Sequence, residues 1–515
     1  MMANFTRNNA WNNGGTFDNP DLLWYAKGVG VMQSRTLDDP TSWWFFAAIH
    51  GEYLTGENAF PGWGFIPGPP QVPTTPLPSQ SLQDLYWDQC QHQSWYFTPW
   101  HRGYLIALEK QIRAAVVSLG GPSDWALPYW NYFGPNNEFE IPPAFTQTTL
   151  PDGTSNALFV QARYGPNSDS NIFIPIPPVS EDCQNNTIFT GSNTVTPPPG
   201  YGGPNTGFSH GGETSGNLEN NPHNQVHVFI GGNSPDGQTS GLMSDPGIAA
   251  LDPIFYLHHS NIDRMWAAWD GSGNSNPGET NWTSGPTAVG DHEFAMPFPD
   301  GSSWVYTPND VNSLSQLDYT YDDMAAAVAA AAAPQAFNKL AKRLIKLGVA
   351  PAAAKAAQGA KMDTGAAELL GAHDKALQIK SSGARATVKL DTGVRRKMSA
   401  SFAAASQTKV PDHVYLKLEN VRGTRDSYVL NVSVNQQRAG SVALFGLRRA
   451  TLKDGQHAGG GLTFVLDITN IVDELSLDKA LDADSLDVRI RPNNAVPDSE
   501  EITVGRIAVY RQEHP

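Results

Sequence analysis

Asp252-Pro253-Ile254-Phe255-Tyr256-Leu257-His258-His259-Ser260-Asn261-Ile262-Asp263-Arg264-Met265-Trp266 decides how the rest of this chain is read. Pro253 stands where a first-turn proline is tolerated, so the stretch reads as the start of an apolar helix. Two adjacent histidines lie inside it. Asp263 follows His259 by four residues and shares its helix face. A ligating imidazole has its second ring nitrogen held by an oxygen, a task Asp263 is spaced to perform. Phe255 precedes His259 by four and should pack on the same face. A histidine on an apolar helix is more often a core residue than a ligand, so this stretch alone leaves the metal question open.

Working outward, nine of the 13 histidines fall before residue 324. Asp38-Asp39-Pro40 reads as the cap and first-turn proline that start a Trp/Phe-rich helix, which His50 closes. His92 and His101 flank the start of a second helix near Thr98, which runs to about Val117. His223 and His227 sit four apart on a third helix, Asn221 to Phe229, at a spacing that lets two imidazoles meet one ion. The opening stretch is the fourth. Helices embedded in long Pro/Gly/Asn loops, with side chains facing one another, are a place where metal sites are built. Each of two clusters can supply three imidazoles, and neither holds a carboxylate in ligand position. That donor set suits copper or zinc rather than magnesium, calcium or a carboxylate-bridged iron pair.

With those residues in hand, the chain resembles the type-3 copper family of tyrosinases, catechol oxidases and molluscan haemocyanin units, in the bacterial form with a C-terminal domain. The likeness rests on His50, Cys90-Gln91-His92, Pro99-Trp100-His101-Arg102-Gly103-Tyr104-Leu105, Glu219-Asn220-Asn221-Pro222-His223-Asn224-Gln225-Val226-His227, the Asp252–Trp266 stretch and Tyr319-Thr320-Tyr321. It implies two copper ions with O2 as co-substrate. His50, His92 and His101 would hold one ion; His223, His227 and His259 would hold the other, with His258 a neighbour. It implies a covalent link between the Cys90 sulfur and the His92 ring. Glu219 and Asn224 resemble a pair that holds a water able to take a phenol proton. Pro246, within Pro246-Gly247-Ile248, stands where many members carry a bulky gate, so these three residues and Phe255 are expected to meet the substrate.

The implied activity is that of a tyrosinase: ortho-hydroxylation of monophenols and oxidation of o-diphenols to o-quinones, the chemistry of melanin formation. The alternatives are a catechol oxidase or o-aminophenol oxidase without monophenolase activity, and a haemocyanin-like O2 carrier. A zinc hydrolase built on His223 and His227 is a further rival. Phenolic small molecules are the expected partners. A copper chaperone and a homo-oligomer are compatible with the reading.

Charge divides the chain. Residues 1–323 carry 8 Lys+Arg against 31 Asp+Glu, a net of −23; residues 324–409 carry 14 against 4, a net of +10; residues 410–515 carry 12 against 15, a net of −3. The large acidic section argues against a nucleic-acid partner, because it would repel phosphate. No apolar run approaches the roughly 20 residues of a membrane span. The N-terminus lacks a signal pattern, which points to a cytoplasmic protein, with piggyback export on a partner left open. Two cysteines, Cys90 and Cys183, make no disulfide framework.

The expected architecture is a mainly α dicopper catalytic domain over residues 1–323, with a four-helix core and long loops. An Ala-rich, basic helical linker follows over 324–409. Its helix Ala336–Leu347 is amphipathic; a solvated linker and a membrane-binding helix are open readings, and the favoured one is a lid clasping the acidic domain, with Phe337 or Phe402 as the plug. Period-two alternation over 413–419, 428–434, 462–468, 486–490 and 502–510 predicts an antiparallel β-sandwich over 410–515.

Overall fold

A computed structural model describes residues 4–52, 62–191, 199–289, 292–324, 339–356, 367–405, 411–452, 459–477 and 484–513. They form two compact units. The first comprises residues 1–181, 206–210 and 221–329; the second comprises 182–205, 211–220 and 330–515.

The first unit is helical, and its four expected helices are present: Trp43–His50, Phe97–Ser118, Asn224–Gly231 and Ile254–Gly271. Three of them start or stop for a local reason. Ser42 caps the first by accepting a hydrogen bond from Phe45 N at 3.0 Å. Asp252 does the same for the last through Ile254 N at 3.0 Å, while its carboxylate takes a two-pronged bond from the buried Arg163 guanidinium at 2.6 and 2.8 Å. The third helix is shorter than the spacing predicts: residues Glu219–His223 form a π turn with Asn221 extended, and the α-helix begins at Asn224. It stops at Gly232 (φ +62°), where a Cβ would lie 2.2 Å from Gly165 O. A fifth helix, Pro20–Gln33, packs on Phe97–Ser118, and its Gly28 gives way to Ile112. No catalytic pattern marks it in the sequence.

Phe97–Ser118 and Ile254–Gly271 are amphipathic and nearly all buried, and they pack on each other. The unit's two ends meet beside them, where strand Phe5–Arg7 pairs in parallel with Tyr319–Tyr321. Beyond that strand pair, Arg7, Arg102, Asp263, Tyr319 and Tyr321 form a buried polar knot.

The second unit carries one nine-stranded antiparallel sheet rather than the two sheets of a sandwich. Its order is Gln437–Ala443, Val429–Val434, Ser485–Pro492, Ala384–Leu390, Ala367–His373, Ile502–Gln512, His413–Gly423 and Leu462–Asp467, with Leu377–Ile379 added to Ile502–Gln512. The two outer strands approach each other, since a Cβ on Gly440 would lie 3.0 Å from the Leu466 side chain. The sheet is therefore nearly closed, which hides its edges.

Three of these strands, 367–373, 377–379 and 384–390, lie inside the stretch read as a helical linker. Their alternation is short and broken by Gly371, Ala372 and Ala384, so period-two patterning did not reveal them. The basic helix is present as Lys339–Lys346 and closes at Gly348 (φ +92°). Its charges find partners within this unit: Arg343 bonds Asp473 at 2.8 Å and the carbonyl of Pro411 at 2.8 Å, and Lys346 bonds Glu474. These contacts anchor it to the sheet's own helix, Thr469–Leu477. The Ala-rich run and Phe337 lie outside the described residues, as does the Phe402 side chain. Glu213 also belongs to this unit, its carbonyl accepting from Thr463 N at 2.7 Å.

Candidate metal centre

Six histidines from four helices, a loop and a π turn come together in the first unit, every one buried. His50 is the last residue of its helix, and His101 is the fifth residue of Phe97–Ser118. His92 sits on the loop before that helix. Ring centroids of this trio are 5.2 Å (His50–His92), 5.3 Å (His92–His101) and 5.6 Å (His50–His101) apart. The second trio is equally close: 4.4 Å for His223–His227, 4.7 Å for His223–His259 and 5.5 Å for His227–His259. The trios touch, because His101 stacks on His259 at 4.4 Å.

Four of the six rings are oriented by an oxygen at Nδ1. His50 donates to Pro246 O at 2.9 Å, His101 to Phe97 O at 2.8 Å, His227 to Met243 O at 2.8 Å and His223 to Asn224 Oδ1 at 2.8 Å. Such bonds fix the tautomer with the proton on Nδ1 and leave Nε2 as the lone-pair nitrogen. The Nε2 atoms then converge: His259 Nε2 is 3.2 Å from His223 Nε2 and 3.3 Å from His227 Nε2. Lone pairs that face one another repel, and a shared cation turns that repulsion into ligation. Burial, reinforced by the neighbouring imidazoles, holds His92, His101, His227, His258 and His259 well below the ordinary histidine pKa, so these rings are neutral and able to ligate. Donor atoms of His223, His227, His258 and His259 lie within 4.8 Å of one another, as do those of His50, His101 and His259, and of His50, Cys90 and His92. The donor set is imidazole with one thiol and fits a soft or borderline transition metal.

The comparisons agree with this geometry. Residues 40–272 match the family model described as the common central domain of tyrosinase, and residues 366–512 match a domain of unknown function, DUF7868. The chain is 30% identical over 511 residues to tyrosinase HcTyr1 of Hahella sp. (strain CCB-MM4), covering 95% of this chain and 97% of that protein. The chain belongs to the tyrosinase family. It is a copper oxidoreductase of the type that uses a dinuclear copper centre with O2. To the latent form of polyphenol oxidase from Prunus armeniaca it is 30% identical over 264 residues, 48% of this chain and 38% of that protein. The same overall fold is seen in latent apple tyrosinase, with a TM-score of 0.54 at 19% identity, covering all of this chain and 98% of that one. Latent aurone synthase is similar at a TM-score of 0.54 and 17% identity, covering all of this chain and 90% of that one.

Other expected site residues take more particular places in this tyrosinase-family centre. Phe255 is buried between the trios, 4.2 Å from the His259 ring and 4.8 Å from that of His50. Pro246 and Gly247, expected at an entrance, are buried and serve the metal site from behind: Pro246 orients His50, and Gly247 O accepts from Trp63 Nε1 at 3.3 Å. Ile248 is half-buried.

Asp263 also departs from its expected role. Its carboxylate accepts from Arg102, from Arg7 at 3.3 Å, from Tyr319 at 2.6 Å and from Tyr321 at 2.5 Å, and His259 is not among its partners. Two guanidiniums outcompete an imidazole for a buried carboxylate, because they carry full charge. Burial pushes the Asp263 pKa up, but Arg102, Arg7 and the two phenols outweigh it and leave it below the usual carboxylate value.

His258 lies 5.0 Å from His227 and 5.3 Å from His223, centroid to centroid. Glu219 is buried at the start of the π turn that ends at His223. Cys90 Sγ is 3.3 Å from His92 Nδ1, and both cysteines are buried thiols. Sequence reasoning missed His210, whose Nδ1 is 3.0 Å from Cys90 Sγ. It lies 120 residues from Cys90 in a Gly/Asn-rich loop, where no spacing rule applies. The carbonyls of Met243 and Pro246 were equally invisible, since backbone acceptors leave no residue signature.

Among the described residues no helix is long and apolar enough to cross a membrane.

Proposed function

We propose that this chain is a tyrosinase in the narrow sense: it hydroxylates monophenols ortho to their hydroxyl and oxidises the resulting o-diphenols to o-quinones. The observation that carries the reading is the pair of touching imidazole trios with Glu219 and Asn224 bracketing His223. In this reading His50, His92 and His101 hold one copper, His223, His227 and His259 hold the other, and Cys90 is joined to the His92 ring. When bound, the copper pair supplies O2 activation and two-electron redox chemistry.

The protein's own residues do the rest. Carbonyls behind the rings keep the lone-pair nitrogens aimed inward. Phe255 keeps the space between the trios free of water and gives the substrate ring an apolar edge. Glu219 holds a water that accepts the phenolic proton, and Asn224 both orients His223 and shares in placing that water.

Oxygen uptake by the copper-loaded full chain with p-cresol and with 4-methylcatechol tests the reading. Oxidation of both is expected. Turnover of the catechol alone makes the protein a catechol oxidase, and reversible O2 binding without turnover of either makes it a carrier.

We further infer that the second unit restrains the enzyme. The chain matches two latent enzymes over its whole length, C-terminal sheet included, which supports this. A specific protease site placed within residues 325–338 should raise activity once cut. Equal activity before and after cleavage at every pH would end the idea.

A further inference from the structure

The loop that ends at His210 is laced to the loop that carries His92. His92 N donates to Ser209 O at 3.0 Å, Ser209 N donates to Gln91 Oε1 at 2.8 Å, and Ser209 Oγ donates to His92 O at 3.0 Å. Further along, Trp95 Nε1 donates to Thr206 O at 2.9 Å. His92 and His210 therefore run side by side as a short parallel bridge. This places the His210 ring against Cys90. Its Nδ1 is 3.0 Å from Cys90 O and 3.0 Å from Cys90 Sγ, and its Nε2 is 3.4 Å from Asp88 Oδ1. Asp88 is itself pinned, since its other contacts include Glu52 N at 3.0 Å and its own N–H bonds Ala48 O at 3.0 Å. The Cys90 side chain is thus held from one side by His210 and faces His92 on the other.

We propose that His210 is the positioning residue that holds the Cys90 sulfur against the His92 ring while the two become joined. The proposal rests on the reading, given above, that they are joined. Sγ lies next to Nδ1 of His92, and of the two ring carbons bonded to that nitrogen only Cε1 carries a hydrogen. One S–C bond forms, while one S–H and one C–H bond break. Two protons and two electrons leave, and dioxygen takes them up as hydrogen peroxide. A thiol has three staggered χ1 wells, and only one of them aims it at His92. His210 bonds both the sulfur and the carbonyl of the same residue, so it selects that well. Holding reacting atoms in place is worth orders of magnitude in rate, and releasing them costs accordingly.

The test follows linkage in the full chain after copper and oxygen are added. Peptides containing Cys90 and His92 are weighed for the loss of two hydrogens, and Cys90 is assayed for alkylation. The variants are His210→Ala, which removes the contact, and His210→Asn, whose amide nitrogen can take the place of Nδ1. Copper content and thermal melts are read on the same samples. Wild type and His210→Asn should link, and His210→Ala should link at least about tenfold more slowly while still binding copper. Linkage of His210→Ala at the wild-type rate would overturn the role of His210. So would a failure of His210→Asn to link when it binds copper and melts as the wild type does. Absence of linkage from the wild type itself would instead overturn the reading on which the proposal rests.

Discussion

His50 Nδ1 donates to the carbonyl of Pro246 at 2.9 Å, across 196 residues of sequence. Three residues earlier in the same loop, Met243 O accepts from His227 Nδ1 at 2.8 Å. One short loop therefore aims a ring in each trio, and couples the two halves of the centre.

Gly51 tests that coupling. A Cβ there would lie 2.9 Å from Pro246 O and 3.0 Å from Gly247 Cα, both backbone atoms that cannot swing aside. Gly51→Ala should push the loop off His50 and weaken copper binding roughly 10- to 100-fold, the usual cost of losing an orienting partner. Copper titration of the metal-free protein checks it. Unchanged affinity would mean that the carbonyl is dispensable.

Asp263 should matter for stability rather than for ligation. Asp263→Asn leaves Arg7 and Arg102 buried beside a neutral amide, a loss of about 3–5 kcal/mol. The carboxylate's pKa is lowered in the fold. Its contribution is therefore complete above the unfolded value of about 3.9 and disappears as pH falls through the lower, folded one. Urea unfolding of both proteins should show the full gap near neutral pH and a closing gap in acid below about pH 4. A gap that stays constant into acid would contradict this.

The adjacent histidines should separate in their metal content. His259 Nε2 meets His223 and His227 at 3.2 and 3.3 Å, contacts His258 does not share. His259→Gln should retain one copper per chain by elemental analysis, and His258→Gln should retain two. The reverse result would exchange their roles.

Glu219→Gln addresses the base. The amide cannot hold a water as a proton acceptor, so monophenol turnover should fall about a hundredfold while diphenol oxidation changes far less. Equal losses with both substrates would show that Glu219 supports the π turn and not the proton.

The four helices were legible in the sequence from caps and helical spacing, and the six histidines and the neighbourhood of Cys90 and His92 from short motifs and the family resemblance they carry. The later strands were legible where alternation was long, as in His413–Gly423 and Ile502–Gln512, and were missed where glycine and alanine broke it, as in Ala367–His373. The sandwich became one nearly closed sheet because strand pairing is a long-range choice that alternation does not encode. Composition alone suggested pairing the basic helix with the acidic domain; net charge carries no address, and Asp473 as the partner of Arg343 could be named only from the folded chain.

What the sequence determined by itself is the donor chemistry: two groups of imidazoles on or beside four helices, with their division into ligands and neighbours implied by the family resemblance. What only the tertiary structure decided is their orientation. Asp263 shares a helix face with His259, yet its charge is consumed by Arg102 and Arg7, which arrive from elsewhere in the chain. The carbonyls of Met243 and Pro246 aim His227 and His50 instead. A backbone oxygen has no sequence identity, and a hydrogen bond is fixed by distance in space, so these partners emerge only when the chain is folded.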